Sequence, residues 1–178
     1  MIGRYAAEGT DLKSDAGGMK LKKLYAGDNA PDFTVPCVRC GEFTLSSETK
    51  ECPILLYFYP ANYGMMCTYY SEKMNEYIED FEKLDIKVFH VNDASVENHE
   101  KWMERVSSEY DHISDIDQKV SRMYGMIVND FEGPGSLTNR GFVLIDTKMM
   151  IRYVWRAALP PNIRDIGELI AELHEILS

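Results

Sequence analysis

The sequence predicts an α/β fold, a mainly parallel sheet with helices on both faces. A continuous apolar run at residues 54–59 and shorter apolar-rich segments at 86–91 and 142–145 have the length of buried strands. Between and after them, apolar residues recur at three- and four-residue spacing, as on one face of a helix. The chain has 178 residues, 45% hydrophobic and 27% charged, which suits one globular domain.

The elements follow in order. Residues 1–24 are small and polar, with too few apolar groups to offset the entropy of ordering them, and are expected to form a flexible N-terminal extension. Residues 25–178 form the domain. Phe33-Thr34-Val35 and Phe43-Thr44-Leu45 read as a hairpin around Pro36-Cys37-Val38-Arg39-Cys40-Gly41. Residues 54–59, between Pro53 and Pro60, read as the central strand. One helix is expected over 65–83, with Met66, Tyr70, Met74, Tyr77, Ile78, Phe81 and Leu84 inward. A second strand at 86–91 leads into a helix at 96–110, for which Ser95 is the expected N-cap. A short extended piece at 112–114 precedes a brief helix at 117–124 closed by Gly125. Residues 129–139 are rich in turn formers and read as a loop. Strands at 142–145 and 151–155 make a hairpin, and a last helix carries Ile163, Ile166, Leu169, Ile170, Leu173, Ile176 and Leu177 in one stripe. This order is the layout of a thioredoxin-like fold with an N-terminal β-hairpin and extra strand-helix elements.

Charge and hydropathy narrow the function. A formal charge of −10 argues against nucleic acid or an anionic membrane as partner. The longest apolar run, 53–61, is about half of the roughly 20 residues a spanning helix needs. With no apolar secretory core at the N-terminus the expected compartment is the cytosol, where the four cysteines are expected to be reduced, metal-bound or catalytic.

The chemistry points to Cys67. It lies just past the end of the central strand, in the first turn of the next helix, at the sheet edge where ligands bind in open α/β folds. Unpaired N–H groups and the helix dipole favour a thiolate there, and an unperturbed thiol, with a pKa of about 8.5, needs that help. The plainer alternative is a buried, inert small hydrophobe. Arg140 favours the first reading. It begins a strand expected to run antiparallel to the central one, so it should arrive beside Cys67, where a guanidinium would stabilise a thiolate and donate to an oxygen substrate. His90, at the end of a buried strand, is expected to be a satisfied core residue rather than a base.

At these residues the chain resembles the peroxiredoxins, and among them the bacterioferritin-comigratory-protein branch of the alkyl hydroperoxide reductase and thiol-specific antioxidant superfamily. The resemblance runs from about Ala26 to the C-terminus. It is carried by Ala30-Pro31-Asp32-Phe33-Thr34, Leu56-Tyr57-Phe58-Tyr59-Pro60, Cys67-Thr68, Ser114-Asp115, Tyr124-Gly125 and Arg140-Gly141-Phe142-Val143-Leu144-Ile145-Asp146. It implies a thioredoxin-type peroxidase that reduces hydrogen peroxide or alkyl hydroperoxides through a cysteine sulfenic acid. Cys67 would be the nucleophile, Arg140 its activating cation and Pro60 a shield for the sulfur. No metal or prosthetic group is implied. Thioredoxin, glutaredoxin or a small thiol would supply electrons, to a monomer or homodimer. The family's threonine falls on Gly64, so its hydroxyl is missing, and Tyr70 stands where the branch has glutamate. The resolving position five residues on is Glu72.

The other cysteines keep several readings. Cys52 lies about 20 Å or more from the site along the central strand and is expected to be inert. Cys37 and Cys40 could be a redox pair that resolves or reduces Cys67, half of a zinc site lacking two ligands, ordinary hairpin residues, or a local disulfide without catalytic use. Two further functions stay open on this basis: a thiol–disulfide oxidoreductase using Cys37 and Cys40, or a non-enzymatic sensor or interaction domain that has lost the active-site threonine.

Overall fold

The computed structural model describes residues 23–178, so the expected N-terminal extension falls almost wholly outside the described residues. The elements in chain order are β1 Thr34–Cys37, β2 Gly41–Thr44, α1 Leu45–Glu48, β3 Ile54–Phe58, α2 Met65–Asn75, α3 Ile78–Lys83, β4 Lys87–Asn92 and α4 Val96–Arg105. They continue with β5 Asp111–Ser114, α5 Lys119–Met123, β6 Ile127–Asn129, β7 Ser136–Thr138, β8 Gly141–Ile145, β9 Ile151–Arg156 and α6 Ile166–Leu177.

Seven strands form one sheet in the order β2-β1-β5-β4-β3-β8-β9. Only β3–β4 and β4–β5 are parallel; the remaining pairings are antiparallel. The sheet is therefore mixed rather than mainly parallel. The helical crossovers serve three strands alone, and hairpins supply both edges.

Alternation along β3 builds two cores. Ile54, Leu56 and Phe58 face one side with Phe43, Phe89, Ile113, Tyr124 and Val143. Leu55, Tyr57 and Tyr59 face the other, with Trp102, Phe142, Leu144, Leu169 and Leu173. Burial on both faces explains why β3 reads as an unbroken apolar run.

Several expectations need correction. The single helix over 65–83 is two, because Tyr77 leaves the helical region (φ −112°, ψ 14°). The side chain of Asn75 is drawn instead to the end of α4, donating to the carbonyls of Val106 and Ser107 at 3.0 and 3.1 Å. The helix expected over 96–110 stops at Arg105, with Ser107 in the left-handed region (φ 50°); Ser95 does cap it, accepting from the Asn98 amide at 3.2 Å. Residues 129–139 are not all loop. β6 and β7 pair in register there, around a turn in which Asp130 Oδ1 accepts from the Gly135 amide. Three-residue strands beside so many turn formers leave no alternation to read. The four-residue α1 likewise lacks a helical period. Ile163 lies exposed before α6, which begins only after Asp165 has capped the Glu168 amide at 2.9 Å.

Candidate active site

Cys67 is the third residue of α2, in the turn that follows the C-terminal end of β3. The connection is short and tightly held. Tyr59 and Asn92 donate to Asn62 Oδ1 at 2.6 and 3.0 Å, and the Asn62 amide donates to Asn98 at 2.7 Å. Tyr63 sits in the left-handed region (φ 63°), costly for a bulky residue, with its ring 5.2 Å from that of Trp102. Gly64 is the N-cap, in extended conformation (φ −64°, ψ 142°) with no side chain to cap the helix. Pro60 is buried at the start of this connection.

Arg140 arrives from the neighbouring strand. β8 pairs antiparallel with β3, Gly141 opposite Phe58, which sets the preceding residue over the end of β3. The side chain is 1% exposed. Its Nη2 donates to Cys67 Sγ at 3.3 Å, its Nε to the Pro160 carbonyl at 3.1 Å, and its Nη1 to the Tyr57 hydroxyl. The guanidinium carbon also lies 5.6 Å from the Tyr70 ring centre and 6.0 Å from that of Tyr57. Burial works against this charge, yet Tyr57 and Cys67 outweigh it, and the guanidinium holds its proton more firmly than usual. Among the described residues no carboxylate pairs with it. A buried cation without a carboxylate is expensive, and the polar groups that meet this one are the Tyr57 hydroxyl, the Pro160 carbonyl and the Cys67 sulfur.

The surroundings fix the guanidinium. Burial pushes the Tyr57 phenol well up, so it meets Arg140 as a neutral hydroxyl. Tyr70, in place of the expected glutamate, is likewise pushed up by burial and donates to the Arg164 carbonyl at 2.6 Å. It offers the cation a ring face instead of a charge. Gly64 borders the sulfur: a Cβ built on it would lie 3.6 Å from Cys67 Sγ, an ordinary contact. Thr68 does not replace the missing hydroxyl, since its own donates back to the Gly64 carbonyl at 2.8 Å.

The structure thus brings Cys67, Arg140 and Gly64 together and leaves the other cysteines apart. Cys52 is buried beyond the far end of β3, with its thiol pKa pushed up by burial. Cys37 and Cys40 are joined in a disulfide. Cys37 belongs to the core on the opposite face of the sheet from Cys67, with β5 and β4 between β1 and β3. Three strand spacings alone amount to about 14 Å, twice the Cα separation a direct bridge tolerates.

Tyr57 and the Pro160 carbonyl escaped the sequence reading. The alternation of β3 puts Tyr57 on the Cys67 face, which was a usable signal; the path of the 157–165 connection gave none. His90 corrects another expectation. It is buried against Tyr57, Tyr110 and His112, but neither ring nitrogen finds a hydrogen-bond partner, so it is not satisfied. Burial pushes its pKa down to about 3 and keeps it neutral.

A thioredoxin-like sheet with a cysteine at the start of the helix after its central strand, facing a buried arginine, defines a class of thiol-based redox proteins. Residues 26–154 match the AhpC/TSA family, and the chain belongs to that family. Among curated relatives it is similar to a peroxiredoxin of Thermoplasma volcanium, 30% identical over 156 residues that span 83% of this chain and 74% of the relative. It is 29% identical to Peroxiredoxin-2 of Mus musculus over 153 residues, spanning 81% of this chain and 75% of that protein. Among solved structures, a PrxQ mutant from Xylella fastidiosa superposes with a TM-score of 0.78 at 19% identity, covering 88% of this chain and 99% of the other. Peroxidoxin BcpB from Mycobacterium tuberculosis gives 0.74 at 22% identity, covering 86% and 98%. These two establish the fold.

Proposed function

We propose that Cys67 is the nucleophile of this thiol peroxidase, with Arg140 as its activating cation. One observation carries the assignment: a guanidinium 1% exposed, without a carboxylate partner among the described residues, donating to Cys67 Sγ at 3.3 Å. The thiolate attacks the terminal peroxide oxygen in line. As the S–O bond forms the O–O bond breaks, and the departing oxygen takes a proton to leave as water or an alcohol. The sulfur is oxidised to a sulfenic acid and the peroxide is reduced. Arg140, fixed by Tyr57 and the Pro160 carbonyl, needs no reorganisation to meet charge developing on the peroxide oxygens. The Gly64 backbone borders the same space, and Pro60 screens it from water.

A thiol must then condense with the sulfenic acid, releasing water, and a second thiol must displace the first. Position 72 is glutamate, and Cys37 and Cys40 lie across the sheet, so the reductant comes from outside this subunit: thioredoxin, glutaredoxin or a small thiol. Exposed Tyr63, Met65 and Tyr69 surround the start of α2 and make the approach apolar, which favours organic hydroperoxides over hydrogen peroxide. The setting is the cytosol, and the working unit a monomer or homodimer. No helix among the described residues is long and apolar enough to cross a membrane.

Stopped-flow oxidation by hydrogen peroxide and an organic hydroperoxide tests the reading. Oxidation at least about a hundred-fold faster than that of a free thiol, lost in Cys67→Ser, is expected if the site stabilises the transition state by a few kcal/mol. A rate equal to that of free cysteine would sink it.

A further inference from the structure

We infer that Cys37, Cys40 and Asp111 form a second redox centre, a dithiol–disulfide couple that exchanges with small thiols at the sheet edge remote from Cys67. The two cysteines have Cα atoms 5.4 Å apart and are bonded to each other. They differ in access: Cys37 is 1% exposed, whereas Cys40 faces solvent. Thiol–disulfide exchange uses such a pair, one sulfur for a partner to attack and one shielded to close the bond again.

The third member comes from another strand. β1 pairs antiparallel with β5, Cys37 opposite Ile113, which sets the start of β5 beside the hairpin turn. Asp111 Oδ2 lies 2.9 Å from Cys37 Sγ. That contact holds no hydrogen while the disulfide stands, and becomes an S–H···O hydrogen bond once the pair is reduced. The carboxylate is fixed from several sides. Oδ1 accepts from the Arg39 and His112 amides at 3.0 and 2.8 Å, and Oδ2 from the Cys40 amide at 3.2 Å. The Arg39 guanidinium, between the cysteines, donates to the carbonyls of Ser108 and Glu109 and clamps the hairpin to the chain entering β5. These bonds hold Oδ2 against the sulfur.

Cys40 and Asp111 both open onto a cleft of about 510 Å³, whose apolar wall includes Phe81, Ile86, Val88 and Phe89. That volume suits a small molecule rather than a protein surface. The ligand class is therefore a small thiol or its disulfide. A thiolate R–S⁻ attacks Cys40 Sγ and forms a mixed disulfide; the Cys37–Cys40 bond breaks, and Cys37 leaves as a thiolate that takes a proton from water by way of Asp111. A second R–SH, deprotonated, attacks the mixed disulfide, yielding RSSR and the Cys40 thiolate. Two thiols are oxidised and one protein disulfide is reduced; the reverse sequence reoxidises the couple. The same residues are the one group among the described residues that could hold a metal ion, but sulfurs bonded to each other are not thiolate ligands.

The full chain carrying Cys67→Ser provides the test, which separates this centre from peroxide chemistry. It is equilibrated with glutathione and glutathione disulfide, acid-quenched, alkylated and mapped by mass. Cys37 and Cys40 are expected to open and close together in one two-electron step. With Cys37→Ser added, Cys40 accumulates the glutathione adduct; with Cys40→Ser, Cys37 does not. Asp111→Asn slows reclosure at least about ten-fold and flattens its pH profile. Independent alkylation, equal adducts on both sulfurs, or an unchanged profile in Asp111→Asn would overturn the proposal. Uptake of one zinc ion per reduced chain, with both thiols then protected, would overturn it in favour of a metal site. Peroxide oxidation of Cys67 in the unaltered chain, measured separately, shows whether the peroxidase reading stands in its own right.

Discussion

Gly64→Thr tests how far the site falls short of its own potential. The glycine backbone is extended (φ −64°, ψ 142°), open to any residue, and an added Cβ would meet nothing closer than Cys67 Sγ at 3.6 Å. The Cβ of threonine therefore fits without displacing its neighbours, in ordinary contact with the sulfur that the hydroxyl is meant to reach. As an N-cap it differs from glycine by only a few tenths of a kcal/mol, so the fold should hardly respond. A hydrogen bond to a charged centre is worth about 1.5–3 kcal/mol. If it forms in the transition state, oxidation of Cys67 should accelerate roughly ten- to hundred-fold. Stopped-flow fluorescence with either peroxide class gives the second-order rate, and thermal melts confirm that stability is unchanged. An unaltered rate in a fully folded variant would mean that no reacting oxygen passes beside position 64.

Two other outcomes follow from the same geometry. Tyr57→Phe leaves an Arg140 N–H buried without an acceptor; it should cost about 1–3 kcal/mol in denaturant unfolding and slow Cys67 oxidation, and unchanged values in both would show the hydroxyl to be idle. The buried imidazoles of His90, His99 and His112, packed among Tyr57, Tyr59 and Tyr110, remain neutral when folded, because burial pushes the first two down to about 3 and 4 and the third well below its usual range. Unfolded, each binds a proton near pH 6.5, so the unfolded chain holds more protons below that value. Stability should be full above pH 6.5 and fall toward pH 4 by up to about 1.4 kcal/mol per unit per histidine. Urea unfolding at pH 7 and 5 measures the slope; His90→Phe should flatten it, and an identical slope in that variant would refute the account.

What could be read from the sequence follows physical range. Cys67 and Arg140 were legible because their meeting depends only on strand order: the antiparallel register of β8 on β3 does the rest. Gly64 was reached only through the family resemblance, which sets the family's threonine at that position. The helix break at Tyr77 was hidden; beside it Asn75 reaches the end of α4, a contact between residues over thirty positions apart that no local pattern shows. Asp111 was hidden for the same reason. It reaches Cys37 only through the pairing of β1 with β5, and no local pattern announces that pairing. His90 misled because burial of an imidazole is readable from a strand pattern, whereas the absence of a partner for it is not.

The grip on Arg140 ties the chain's end to its centre. Its Nε rests on the Pro160 carbonyl, Tyr70 beneath it rests on the Arg164 carbonyl, and Arg164 in turn ion-pairs with Glu168 and Glu172 along α6. Two backbone oxygens just upstream of the last helix thus act as the anvil against which the guanidinium and its aromatic floor are set. Clipping or levering that helix away would unseat the aim of the charge before it touched the sulfur, so the C-terminal segment is a working component of the pocket rather than a trailing cover.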